Sequence, residues 1–79
     1  MGRPTFSVNA EWDGEAKVWY VSDSDVPGLA AESHSVETLL AKLNDLIPEL
    51  LIENGVASPL PVSFSLTARK TNEINRNAA

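Results

Sequence analysis

A chain of 79 residues has room for one small domain, since domains shorter than roughly 50 residues are uncommon. It contains no cysteine, which excludes disulfide bonds and thiolate metal sites. The formal net charge of −5 disfavours binding to nucleic-acid phosphates and favours a basic partner, although solubility alone also explains such a charge. The first residues include no apolar run typical of a signal or membrane anchor, so a cytoplasmic location is expected.

Two strands joined by a short turn are predicted first. From Thr5 to Trp12 apolar and polar residues alternate, which is the period of a half-buried strand. Asp13 to Ala16 form the turn, in which Gly14 is expected to take a positive φ. Lys17 to Ser22 is rich in β-branched and aromatic residues, and so short a link makes it the second strand of an antiparallel hairpin.

A polar loop, a third strand and a helix follow. The loop from Ser22 to Gly28 ends in Pro-Gly, and Leu29 to Glu32 is predicted as a short strand. Leucines and isoleucines at helical spacing then predict one long amphipathic helix, N-capped by Ser35 and ended by Asn54-Gly55. Pro48 lies off the leucine stripe, so a bend is expected there and not a break.

A last strand is predicted from Val62 to Thr67, where apolar and small polar residues alternate again. The element order is therefore β-β-β-α-β, and the fold class is α+β, with an antiparallel sheet covered on one face by the helix. Residues 1–67 are predicted to form the domain, and residues 68–79 to form a flexible tail.

The second strand is apolar on both faces, although one helix can cover only one face of the sheet. Val18 and Tyr20 lie on one side of it, and Trp19 and Val21 lie on the other. Tryptophan is enriched in interface hot spots, so Trp19 is a candidate contact and a homodimer or higher oligomer is predicted. The alternative is that Trp19 covers the edge of the sheet beneath the Asp13–Lys17 turn.

Four short motifs occur in a recognisable order between residues 5 and 67. They are Trp12-Asp13, Val18-Trp19, the turn Asp25–Leu29, and Ser35–Leu39 at the start of the helix. Together they resemble the N-terminal domain of the HicB-like antitoxin family, and the continuation LIPELLIENG is similar to a short branch of uncharacterised single-domain members. The resemblance implies a partial RNase H-like fold with the same β-β-β-α-β order.

The resemblance also implies a partner, namely a small basic ribonuclease toxin of the HicA kind, which the antitoxin binds and silences. HicB-like antitoxins usually add a ribbon-helix-helix or helix-turn-helix segment that binds operator DNA. Only Ala68 to Ala79 follow the last strand here, which is too short for either segment, so direct DNA binding is not expected. The alternative function is that of an orphan homo-oligomeric domain whose partner is a copy of itself.

No residue set suited to catalysis is found. A two-metal RNase H-type site needs several converging carboxylates, but the last strand contains no acidic residue. His34, the single histidine, could bind a metal with Glu32 or Glu37, but it lies at a strand-to-helix junction where polar residues are common. The domain is therefore predicted to be non-catalytic, without cofactor or metal.

The acidic residues around the end of the second strand are the best candidates for contact with a basic partner. Asp23 and Asp25 are expected to be exposed and to speed association by long-range attraction, with Glu32 further along the chain. Asp and Ser also favour loops for purely local reasons, which is the competing interpretation. Together with Trp19, these three residues form the predicted partner-binding set.

Overall fold

The computed structural model describes residues 5–56 and 62–74, which form one four-stranded sheet and one helix. The elements are, in chain order, β1 (Thr5–Asp13), β2 (Val18–Ser24), β3 (Glu32–Ser33), α1 (Val36–Glu53) and β4 (Ser63–Arg69). The α+β class and the β-β-β-α-β order are thus confirmed. Within the described ranges no helix is both long and apolar enough to cross a membrane.

The strands lie in the order β3-β2-β1-β4, so the first strand is central and the last strand lies at an edge. β2 is antiparallel to both of its neighbours, but β1 and β4 are parallel, with Thr5 opposite Ser63 and Glu11 opposite Arg69. The sheet is therefore mixed, and the prediction of an antiparallel sheet was wrong for this pair. The reason is that α1 connects β3 to β4 by crossing the sheet, and such a crossover makes the two connected strands parallel. β3 runs in the same direction as β1, because β2 is antiparallel to both, so β4 is parallel to β1 as well.

The hydrophobic core lies between α1 and one face of the sheet. Its largest fully buried side chains are Leu39, Leu43, Ile47 and Val8. Burying a leucine or isoleucine side chain contributes about 1.5–3 kcal/mol relative to exposure, so the helical stripe is the main stabilising feature of the domain. Leu40, which the periodicity placed in the same stripe, is 42% exposed and lies at the margin of the core.

Both ends of α1 have the predicted caps. The Ser35 Oγ accepts a hydrogen bond from the Thr38 backbone N–H at 3.1 Å, which satisfies one of the free donors of the first turn. At the other end, Gly55 has a φ of 67° and donates its N–H to the Ile52 carbonyl at 3.1 Å. The helix continues through Pro48 without a break, as the sequence predicted.

The turn between β1 and β2 differs from its prediction in the residue that takes the left-handed conformation. Lys17, with a φ of 60°, has this conformation, and Gly14 does not. The Lys17 N–H donates to the Asp13 carbonyl at 2.8 Å, while the Asp13 carboxylate accepts the backbone N–H groups of Glu15 and Ala16 at 2.9 and 3.1 Å. The turn therefore closes at Lys17, and the change of backbone direction falls on this residue.

β3 is shorter and lies later than predicted. The sequence placed this strand at Leu29 to Glu32, whereas the structure has Glu32–Ser33. The Leu29 N–H bonds to the Val26 carbonyl at 3.3 Å and so belongs to a turn. Pairing with β2 begins at Ala31, whose carbonyl accepts the Val21 N–H at 3.0 Å.

β4 extends two residues further along the chain than predicted. The predicted strand ended at Thr67 and was followed by a tail, but β4 continues to Arg69 because Ala68 and Arg69 remain in register with β1. Residues 70–74 follow without regular secondary structure and are exposed. Residues 1–4 and 75–79, which belong to the predicted domain and tail respectively, lie outside the described residues.

Candidate partner-binding surface

The two faces of β2 have different surroundings, since only one of them packs against the core. Trp19 and Val21 are partly buried and pack against the core on the α1 side. Of the opposite pair, Val18 is buried at 7% exposure, and Tyr20 is 37% exposed. The side of β2 that α1 does not cover therefore presents one exposed aromatic side chain, Tyr20, and this side is called the open face below.

A row of four exposed side chains crosses the open face at one level of the sheet. Strand pairing places Glu32 opposite Tyr20, Tyr20 opposite Glu11, and Glu11 opposite Arg69. All four residues are exposed. Directly opposite side chains on neighbouring strands lie about 5 Å apart, so this cross-sheet row brings together two carboxylates, a phenol and a guanidinium group.

A β-bulge in β2 determines the side on which Asp23 lies. Ala10 pairs with Val21 and Asn9 pairs with Asp23, so Ser22 is an extra residue opposite β1. In a regular strand without a bulge, strict alternation from the inward-facing Val21 would turn Asp23 toward the helix. The bulge instead places Asp23 on the open face beside Asn9, and the Ser22 hydroxyl donates to the Asn9 carbonyl at 3.2 Å.

The bulge forms one wall of a shallow cleft of about 280 Å³ on the open face. The cleft is lined by residues of three strands: Asn9, Ala10, Glu11, Ser22, Asp23, Thr67 and Arg69. Asp23 and Glu11 bring negative charge to the cleft, and Arg69 brings positive charge from the β4 side. The cleft therefore offers two carboxylates to a basic side chain and one guanidinium group to a hydrogen-bond acceptor.

Asp25 has a local structural role that the sequence did not predict. Its backbone N–H donates to the Ser7 carbonyl at 3.0 Å, and its carboxylate accepts the Ser7 N–H, also at 3.0 Å. Asp25 thereby continues the β1–β2 ladder by one step beyond the last residue of β2. Both Asp23 and Asp25 are exposed, as expected, but only Asp23 has no such bond among those described.

Trp19, the fourth predicted contact, lies on the covered side and not on the open face. Its ring lies 5.4 Å from the Trp12 ring at an interplanar angle of 59°, a favourable tilted arrangement. The Lys70 ammonium group stands over the Trp12 ring, 4.9 Å from its centre. Trp19 therefore lies apart from the other three residues of the predicted partner-binding set, since its ring packs with Trp12 beside the core. Its contact with a partner stays a prediction.

His34, the histidine weighed as a metal ligand, lies within hydrogen-bond distance of a backbone carbonyl. His34 is exposed, and its Nδ1 lies 3.0 Å from the Lys17 carbonyl oxygen. Among residues 5–56 and 62–74, no group of three His, Asp or Glu side chains is placed to hold a metal ion. Asp13, at the end of β1, is engaged by the backbone of its own turn.

Sequence reasoning found Asp23 and Glu32 on the candidate surface but missed Glu11, Tyr20 and Arg69 as neighbours of them. Arg69 was assigned to the tail, and Glu11 was not included in the predicted partner-binding set. The signal was present for Glu11 and Tyr20, because both occupy outward positions in strands predicted to pair. The position of Arg69 depended on the parallel pairing of β4, which alternation alone does not reveal.

Comparison with protein-family models identifies the family. Residues 5–76 match the family described as Domain of unknown function (DUF1902). The chain belongs to this family. The match includes every strand and the helix, so the cross-sheet row and the cleft both lie within the family domain.

A solved structure resembles the whole fold. It is the crystal structure of hypothetical protein TTHA1013 from the extremely thermophilic bacterium Thermus thermophilus. The two chains are 52% identical, and the alignment covers 90% of this chain and 100% of that one, with a TM-score of 0.77. No curated protein matches the sequence. The family and the fold are therefore established by these similarities, and the function has to be argued from the surface.

Proposed function

We propose that this domain is a non-catalytic protein-binding module that masks a basic partner surface, in the manner of a HicB-type antitoxin acting on a small HicA-like ribonuclease. The observation that carries the proposal is the open face, on which Glu32, Tyr20, Glu11 and Asp23 lie exposed. The sequence resemblance to HicB-like antitoxins adds the kind of partner. The observed β-β-β-α-β order is the one which that resemblance implies.

The chemistry of the open face suits a basic protein. Carboxylates that flank an aromatic side chain can accept hydrogen bonds from Arg or Lys while the ring packs against the aliphatic stem of the same side chain. Tyr20 therefore supplies apolar contact area, and Glu11 and Glu32 on either side of it supply charge. The net charge of −5 adds long-range attraction, which speeds encounter with a basic partner.

The proposal includes neither direct nucleic-acid binding nor membrane binding. A chain with a pI near 4.6 repels phosphate groups at neutral pH. The basic residues of β4 and the following segment, such as Arg69 and Lys70, lie near Glu11 and over Trp12 respectively. The acidic open face is consequently the stronger basis for a function, and its partner is a protein.

The test uses the small basic protein encoded beside this gene, if one is present, and two matched double variants of the full chain. Glu11→Gln with Asp23→Asn removes two charges from the open face. Asp45→Asn with Glu49→Gln removes two charges from exposed positions of α1 and serves as the control. At low salt the first variant should associate several-fold more slowly than the control, and the difference should shrink near 0.5 M salt, where the Debye length is about 4 Å.

Three results would count against the proposal. They are failure of the adjacent basic protein to bind, equal effects of the two variants, and an association rate that salt does not change. Asp25 is left unchanged because its carboxylate bonds to Ser7, and its loss would mix folding with binding. A change in the unfolding midpoint of either variant would be measured first by chemical denaturation.

A second candidate function is that of a homo-oligomeric domain without a toxin partner. The observation in its favour is β4, a seven-residue strand at the edge of the sheet. Self-association through β4 would also leave the open face free for a partner, because β4 lies at the edge of the sheet and borders that face.

A further inference from the structure

The two edges of the sheet are protected to different degrees. Proteins commonly protect an edge strand against unwanted pairing by making it short or by placing a lysine there. β3 has only two residues, and the Lys42 ammonium group of α1 occupies its Glu32 carbonyl with a hydrogen bond of 2.7 Å. β4 has seven residues, and Ser63 to Ala68 include no charged residue and no proline.

The backbone groups of β4 that point away from the sheet can be identified from β1. Ser7 directs its N–H and C=O toward β2, where Asp25 meets both. Because successive residues of a strand alternate in this direction, Val8 directs its groups toward β4. Val8 is in register with Leu66 and therefore bonds to the residues on either side of Leu66. The N–H and C=O groups of Leu66 itself thus point outward.

The same alternation applies to the rest of β4. Phe64 and Ala68 lie two positions from Leu66 and present their backbone groups outward in the same way. Their side chains lie on the α1 side of the sheet, where Phe64 and Leu66 are only partly buried and Ala68 is exposed. Within residues 5–56 and 62–74, β4 therefore joins a backbone edge that pairs with no further strand to an incompletely covered apolar row.

We infer that β4 pairs antiparallel with β4 of a second copy of this chain, about a twofold axis at Leu66. In this register Leu66 lies opposite its own counterpart, and Phe64 lies opposite Ala68 of the second copy, in hydrogen-bonded pairs. Ser65 lies opposite Thr67 of the second copy on the open face. The two sheets become one sheet of eight strands, with both helices on the same side and a continuous apolar row between them.

Charge explains why a second copy fits an edge of so acidic a chain. The six residues from Ser63 to Ala68 are uncharged, as the centre of an interface typically is. Arg69, the one charged residue of β4, lies opposite Ser63 of the second copy in this register. The two arginines are then six residues apart along the strands, about 20 Å, which exceeds the Debye length of about 10 Å at 0.1 M salt. The acidic residues of β2 and β3 lie further from the axis.

Two double variants test the pairing and its register on the isolated full chain. Ser65→Lys with Thr67→Lys places like charges opposite each other twice, whereas Ser65→Lys with Thr67→Glu places opposite charges there twice. Positions 65 and 67 are exposed, so the side chains fit on the monomer. Sedimentation equilibrium should show a dimer for the unchanged chain, a dissociation constant raised at least tenfold for the Lys-Lys variant, and a dimer near the original affinity for the Lys-Glu variant.

The change in net charge works against the result expected for the Lys-Lys variant, so net charge cannot account for a weaker dimer. The Lys-Lys variant has a less negative net charge than the unchanged chain, so overall repulsion between copies falls while the proposed local contact is lost. Ala30→Lys, at an exposed position beside the other edge strand, serves as the control and should leave the dimer unchanged.

The inference needs no toxin, so its result is separate from that of the masking function. It is overturned by a monomer mass for the unchanged chain at about 100 μM, a concentration at which micromolar complexes are assembled. It is also overturned if the two double variants associate equally, or if Ala30→Lys disperses the dimer. Far-ultraviolet circular dichroism of each variant confirms that the fold is retained before the masses are compared.

Discussion

The two faces of the sheet are built from the same strands, but the covered face contributes to the stability of the domain and the open face is the candidate binding surface. On the covered face, Val8 and Ala10 are at most 1% exposed beneath the leucines of α1. On the open face, Tyr20 is 37% exposed and its neighbours Glu11 and Glu32 are exposed as well. One helix makes the difference. Substitutions on the covered face should change the free energy of unfolding, and those on the open face should change binding.

The largest expected effect is on the covered face. Leu43→Ala should lower the free energy of unfolding by about 2–5 kcal/mol, because the side chain is fully buried at the centre of the helical stripe. Leu40→Ala makes the same chemical change on the same helix but should cost less than about 1 kcal/mol, since Leu40 is 42% exposed. Chemical denaturation of both variants measures the difference. Equal losses would show that the core is not centred on Leu43.

The neighbouring aromatic residues of β2 sharpen the comparison, because they lie on opposite faces. Trp19→Ala should cost about 2 kcal/mol of stability, less than the roughly 3–5 kcal/mol of a fully buried aromatic residue, since Trp19 is only partly buried. Tyr20→Ala should cost less than about 1 kcal/mol. Denaturation curves supply both values. A Trp19 variant of unchanged stability would support the prediction that this side chain contacts a partner.

The smallest expected effect concerns two aspartates two positions apart. Asp25→Ala removes the acceptor for the Ser7 N–H and should cost about 1 kcal/mol, the usual net value of a hydrogen bond. Asp23→Ala, on the cleft, should change stability by no more than about 0.5 kcal/mol. Urea denaturation at pH 7 with replicate curves resolves this difference. The reverse order would mean that the loop is stabilised through Asp23.

Periodicity was sufficient to predict the helix and the order of the elements. The leucine stripe and the Ser35 cap are local features, so a short window of sequence contains all the information that they need. The alternation in β1 likewise identified Val8 and Ala10 as inward-facing. Asp23 and Asp25 were correctly expected to be exposed because charged residues are rarely buried.

The features that were missed depend on contacts between distant parts of the chain. The bulge at Ser22 is visible only once β1 is aligned with β2, and the direction of β4 only once α1 has crossed the sheet. Arg69 could not be placed beside Glu11 without that direction. The candidate surface was therefore predicted by residue type but not by arrangement, since registers are set by pairing and not by local propensity.

The parallel pairing of β1 with β4 also has a consequence for the order in which the chain folds. The hairpin of β1 and β2 joins residues close in sequence, whereas the pairing of Thr5 with Ser63 joins positions separated by nearly the whole domain. Closing the longer loop costs about 2 kcal/mol more in chain entropy. We expect the hairpin and helix to form early and β4 to dock last, so one side of the central strand stays unpaired until the C-terminal part of the domain has been synthesised.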